Sequence, residues 1–199
     1  MQKNGCIIAA SIAGGFFLII LMIFGSFIGV YNNLQTMDES VNSNWAQVEN
    51  QLQRRADLIP NLVNVVKGYA SHEKEIFISV AEARSKLAGA VQKHNVKGAA
   101  QANDQMSGAL SRLLVVAENY PQLKADKVFI GLQDELAGTE NRIAVARRDY
   151  NESVKQLNAT IRTFPNSLIA GMAGVQKREY FKAEESKKEA PTVNFETTK

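Results

Sequence analysis

The sequence predicts an all-α protein, with an N-terminal transmembrane helix followed by an elongated antiparallel four-helix bundle. Three observations predict it. A long uncharged, apolar run lies close to the N-terminus. From residue 34 onward, apolar residues recur every three or four positions along four successive stretches, which is the period of an amphipathic helix. No stretch alternates with period two over a strand's length, so no sheet is expected.

The apolar run comes first. No charge appears between Lys3 and Asp38, and residues 6–30 read CIIAASIAGGFFLIILMIFGSFIGV. A helix needs about 20 such residues to cross the hydrocarbon of a bilayer. A cleaved signal peptide would have a shorter apolar core of roughly 7–15 residues and a small-x-small site. Ser26 to Val30 offers a poor one, so an uncleaved anchor is expected. Lys3 precedes the run, and Asp38 and Glu39 are the first charges after it. The positive-inside rule then puts residues 1–5 in the cytoplasm and the following domain on the outer side of the membrane. Gly25 and Gly29 form a small-xxx-small pair that could pack helices in the membrane.

Four stripes follow the anchor. The first is Leu34, Met37, Val41, Trp45, Val48 and Leu52, resuming at Ile59, Leu62, Val66 and Tyr69. Pro60 lies inside it and is expected to kink or split the helix near Asp57, because proline lacks an N–H and crowds the preceding turn. Asp57 could then cap a restarted helix. The second stripe is Ile76, Val80, Ala83, Leu87 and Val91, with Ser71 as its expected N-cap. His94 and Asn95 read as a turn. The third is Ala102, Met106, Ala109, Leu113, Val116 and Tyr120, stopped by Pro121. The fourth runs from Phe129 through Leu132, Leu136, Thr139, Ile143, Ala146, Tyr150, Val154, Leu157 and Ile161 to Phe164, stopped by Pro165.

The first and fourth stretches are about 40 residues long, or roughly 60 Å at the usual rise, and the middle two are nearer 20. The bundle is thus expected over residues 31–165, with the first helix continuing out of the span and the fourth returning towards the lipid. Residues 166–182 should arrive at the bilayer surface. There Leu168, Ile169, Met172 and Val175 stand beside Lys177 and Arg178, a pattern that suits a membrane interface or, alternatively, packing on the bundle's own base. Residues 183–199 are polar and aperiodic and read as a disordered tail.

If the two long helices pair antiparallel with Tyr31 level with Phe164, paired residue numbers sum to about 195 at equal rise. That register gathers a polar cluster of Arg54, Arg55 and Asp57 with Glu140, Asn141 and Arg142. Such a cluster could satisfy backbone groups freed at Pro60 and fix the helix register, or serve as a docking patch for a partner.

Composition narrows the function. The net charge is +3 with 22% charged residues, a balance that argues against a nucleic-acid binder. Cys6 is alone, which rules out an internal disulfide. His72-Glu73 opens like a zincin motif, but Ile76 replaces the second histidine. No phosphate-cradling GxxxxGK[ST] or GxGxxG occurs. No metal, cofactor or catalytic set is therefore expected.

Three blocks carry a family resemblance: RRADLIPNLVNVVKGYASHE at 54–73, LLVVAENYPQLKADKVFIGLQDELAGTENRIAVARRDYNESV at 113–154, and FPNSLIAG at 164–171. With the N-terminal anchor they resemble the LemA family of bacterial membrane proteins, over nearly the whole chain apart from its tail. The resemblance implies a membrane helix followed by a helical bundle, and it supplies no activity and no catalytic residues. One departure is Leu157-Asn158, where family members often carry Tyr-Asn. The expected function is a non-enzymatic scaffold acting through homo-oligomerisation at the membrane surface, with the bilayer and a second copy as partners. The alternative is an adaptor or regulatory subunit of another envelope membrane protein, such as a peptidase. A hydrolase with an unrecognised site would require a deep polar pocket holding two strongly perturbed titratable groups.

Overall fold

The structure is a computed structural model that describes residues 2–182, with side chains from residue 14 onward. The expected cytoplasmic stub, Cys6 and the tail at 183–199 lie wholly or partly outside the described side chains and residues. Among the described residues there are six helices and no strand. They are α1 (Gln2–Tyr69), α2 (Lys74–Gln92), α3 (Val96–Ala117), α4 (Pro121–Lys124), α5 (Lys127–Thr160) and α6 (Asn166–Met172). The chain divides into two compact units. One takes residues up to 43 and 152–178; the other takes 44–151 and residues from 179 on.

The second unit gathers parts of α1 and α5 with α2, α3 and the short α4 around one core. Val48, Leu52, Ile59, Leu62 and Val66 come from α1, Val80 and Leu87 from α2, Met106 and Leu113 from α3, and Phe129 and Ile143 from α5, each no more than 2% exposed. The predicted stripes are these core faces, because side chains three and four apart share one side of a helix. α2 and α3 pack on one another. α1 and α5 run antiparallel, since the Trp45 ring meets Tyr150 with centroids 5.3 Å apart while Arg54 meets Glu135.

Local chemistry sets the helix ends. Asn95 caps α3 by accepting from the Gly98 amide at 2.9 Å. A Cβ at Gly98 would stand 3.0 Å from that carboxamide, so glycine gives the cap its room. Asp126 caps α5 by accepting from the Val128 and Phe129 amides, and its other oxygen accepts from the Tyr69 hydroxyl. Ser71 does not cap α2. The helix begins behind Glu73 without a side-chain cap, because the turn bond from the Glu73 amide to the Ala70 carbonyl moves its start two residues on. α5 stops at Thr160 rather than at Pro165. Its last turn tightens through i−3 bonds from Arg162 and Thr163, leaving Phe164 82% exposed instead of in the core.

Pro60 neither splits α1 nor starts a new helix. α1 is continuous across it, and Asp57 accepts a hydrogen bond from Gln53 instead of capping. Proline at 60 has no N–H for the Ala56 carbonyl four residues back. Arg84 of α2 supplies the missing donor, with its Nε 2.8 Å from that oxygen. Ala56 is 1% exposed, so without Arg84 the carbonyl would be buried and unpaired.

In the first unit, Leu34 and Val41 of α1 and Val154 and Leu157 of α5 are buried. The chain leaves α6 through Gly174, whose φ of +70° favours glycine, and residues 175–182 have no regular structure. Asn158 pairs with both backbone groups of Arg178: its Nδ2 donates to the carbonyl and its Oδ1 accepts from the amide, each at 2.9 Å. In the second unit Asn151 holds Phe181 in the same way, with bonds of 3.0 and 2.9 Å. Phe181 is 2% exposed and lies against Trp45.

The Arg84 contact can be measured by urea unfolding of the full chain in detergent micelles, read by Trp45 fluorescence. Arg84→Met should cost about 1–3 kcal/mol by orphaning the Ala56 carbonyl. In a Pro60→Ala background, where residue 60 regains its amide, the same change should cost at least about 1 kcal/mol less. Equal costs in both backgrounds would contradict the assignment.

Candidate functional site

Two places in the fold collect the residues that the sequence singles out. The first lies in the second unit, where α1, α3 and α5 face one another around Arg55. A helix turns about 100° per residue, so neighbouring Arg54 and Arg55 point to different sides of α1. Arg55 points inward, its side chain 7% exposed. Its Nη1 donates to Asn103 Oδ1 at 2.7 Å and pairs with Glu140 Oε2 at 2.8 Å, while its Nη2 donates to Ser107 at 3.1 Å. One guanidinium thereby joins three helices. Burial pulls the Arg55 pKa down, and the charges of Glu140 and Asp104 push it back up.

Arg54 points outward. Its Nε and Nη2 both reach Glu135 Oε1, at 3.1 and 2.7 Å, and Arg142 reaches the same oxygen at 2.8 Å. The Arg54 hydrogen bonds and charge, joined by Arg142, hold the Glu135 carboxyl below the usual carboxylate range. A depressed carboxyl stabilises the fold above its unfolded pKa. That contribution fades as pH falls through the lowered folded value.

The expected cluster is therefore divided. Arg55 meets Glu140, whereas Arg54 and Arg142 meet Glu135, a residue the sequence reading did not include. Asp57 bonds within its own turn to Gln53, and exposed Asn141 lines a surface groove with Gln47, Gln51 and Val145. The cluster does not serve the Pro60 gap, because Arg84 of α2 does. Asn103 and Ser107 were also missed. They read as ordinary polar residues until α3 is seen to turn them towards α1. A groove of about 370 Å³ opens beside Arg55 and Glu140, and Leu62, Leu110, Leu114 and Leu136 contribute to its wall. Its two titratable members, Arg55 and Glu140, are paired with each other. Among the described residues no three His, Cys, Asp or Glu side chains group as a metal ion would need.

The second place lies in the first unit, where the chain returns beside α1. The large apolar residues from Phe16 to Phe24 are each 46–74% exposed, all round the helix. That pattern belongs in lipid rather than water. Among the described residues, one helix is long and apolar enough to cross a membrane. Past the apolar run, Gln35 donates to the Ala173 carbonyl at 3.0 Å, and Asp38 takes both arms of the Arg178 guanidinium at 2.9 Å. The residues named for a membrane interface divide here. Ile169 and Val175 are 7% exposed and pack inward, and Arg178 is held by Asp38. Leu168 and Met172 are 67% and 73% exposed, and Lys177 is exposed.

An exposed apolar helix running into an all-helical, polar-stitched domain defines a membrane-anchored helical protein. The chain belongs to the LemA family: the sequence model of that family matches residues 44–195. Protein LemA of Metamycoplasma hominis is 26% identical over 175 residues, covering 85% of this chain and 78% of its own length. Magnetosome protein MamQ 2 of Paramagnetospirillum magneticum is 26% identical over 174 residues, and magnetosome protein MamQ of Magnetospirillum gryphiswaldense is 25% identical over the same span. Both alignments cover 76% of this chain, which spans 64% of the length of those two relatives.

The two adjacent arginines should respond differently to truncation. Arg55→Ala strands the buried amide of Asn103 and should cost about 3 kcal/mol in urea unfolding. Arg54→Ala removes an exposed pair and should cost less than about 1 kcal/mol. Arg55→Lys keeps the charge but loses the fork, and should fall between them. Similar losses at 54 and 55 would contradict the geometry.

Proposed function

We propose that this protein is a non-enzymatic scaffold, anchored in the membrane by α1 and acting through homo-oligomerisation at the membrane surface. One observation carries the reading. Among the described residues, the buried polar side chains of Arg55, Asn103, Thr139 and Asn158 all spend hydrogen bonds on the chain's own elements. Side chains committed in this way hold helices in register rather than await a substrate. What remains for outside contact is the surface.

That surface offers adhesive features. Val115, Val128 and Val145 of the second unit are 49–61% exposed. A shallow groove of about 380 Å³ runs between α1 and α5 beside Val145, Gln51 and Arg142. Closed contacts between copies are the commonest way for such faces to be covered. The charge bias around the apolar run supports placing the domain on the outer side of a bacterial inner membrane, with the N-terminus in the cytoplasm.

Native mass spectrometry from mild detergent, together with cross-linking in cells, tests the proposal. Discrete oligomers and ladders of self-cross-linked chain are expected. A strictly monomeric mass at high concentration would overturn it. A single dominant heterologous partner would favour the adaptor reading in its place.

A further inference from the structure

The returning end of the first unit carries three large apolar side chains that find no cover. Phe164 is 82% exposed, Leu168 67% and Met172 73%. Four residues separate each from the next, so Leu168 and Met172 share one face of α6. The same helix turns Ile169 and Ala170 inward, at 7% and 5% exposure. α6 is thus two-faced, with one side in the core and the other bare.

Its position is fixed by bonds to the anchor. The Gln35 side chain donates to the Ala173 carbonyl at 3.0 Å, one residue beyond Met172. Gln35 stands five residues past Val30, where the uncharged apolar run ends, which is about 7–8 Å of helix rise. Arg178, gripped by Asp38 and by Asn158, holds the following chain against the same stretch of α1. Arg162 and Lys177, both exposed, flank the bare face on its two sides in sequence. Apolar side chains with basic neighbours at this height match the headgroup region of a bilayer.

We propose that Phe164, Leu168 and Met172 form a second membrane contact, inserted into the interfacial layer of the bilayer that α1 spans. Ile169, Val175 and Arg178 do not take part, because they build the support beneath it. The first contact sets where the chain crosses. The second fixes the rotation and tilt of the chain around the anchor, since a lone helix turns freely about its own axis in lipid. This inference rests on the membrane anchoring of α1 and is independent of oligomer formation.

The test uses the full chain with its only cysteine removed by Cys6→Ser, reconstituted in vesicles of phosphatidylcholine and phosphatidylglycerol. An environment-sensitive fluorophore is attached at Leu168→Cys, at Met172→Cys, or at the control Lys155→Cys on α5. Leu168 and Met172 are exposed, so neither substitution touches the core. Carbonate extraction first establishes that the protein is integral. At 168 and 172 the expected results are blue-shifted emission and severalfold stronger quenching by lipid spin-labelled near the headgroup than at 155. Quenching at 168 and 172 equal to that at 155, in protein that resists carbonate, would overturn the second contact alone. A blue shift that appears only as the protein-to-lipid ratio rises, without quenching by the spin-labelled lipid, would also overturn it and assign the face to a second copy. Release of the protein by carbonate would overturn the anchor reading itself.

Discussion

A guanidinium buried among three helices governs how the second unit can be built. Arg55 cannot give up its charge at any ordinary pH, so every donor it presents must find an acceptor once water is excluded. Asn103 and Ser107 of α3 and Glu140 of α5 take three of its five N–H groups. The leucines around it tolerate some sliding, because hydrophobic contact has no direction. The hydrogen bonds at Arg55 do not tolerate it. A shift of α3 by one residue would swing Asn103 away and leave a charge stranded. The apolar stripes thus supply most of the driving force, and the directional bonds of Arg55 fix the register. Arg84 plays a related part at Pro60, where it lets a proline sit inside a long helix without orphaning the Ala56 carbonyl.

The same economy recurs wherever the chain lacks regular structure. Residues 175–182 have no helix or sheet to satisfy their backbone groups. Asn158 and Asn151 each present a carboxamide that mimics a peptide unit, one donor and one acceptor side by side. They are seven residues apart, which is two helical turns, and so lie on one side of α5. Phe181 adds apolar anchorage beside Trp45. The chain around Arg178 and Phe181 is thereby held by side chains of a helix.

Much of this was legible in the sequence. Stripes such as Val48, Leu52, Ile59, Leu62 and Val66 identify core faces because burial and helical period leave the same trace. The uncharged run at 6–30 needs no partner to be read as a span. The antiparallel register puts Trp45 with Tyr150 and Arg55 with Glu140, both pairs summing to 195. What escaped was whatever depends on a partner element. Pro60 signals a break by itself, and only the presence of α2 shows that Arg84 removes the need for one. Phe164 fits the period of α5, but the helix ends before reaching it, since the approach to Pro165 disfavours helical backbone. Leu168 and Ile169 look alike as residues and are separated only by the direction from which α1 approaches. Asn151 and Asn158 have no signature beyond their spacing, because a helix-facing asparagine is as often solvated as it is a clamp.

If Arg55 is a permanent structural tie, the polar interior around it is architecture rather than chemistry. Hydrogen exchange of backbone amides in the full chain, compared between the native protein and Arg55→Met, addresses this most directly. The account predicts that residues around 51–62 of α1, 100–110 of α3 and 136–143 of α5 lose protection together, as one cooperative unit. Loss confined to α1, or unchanged protection in all three helices, would contradict it.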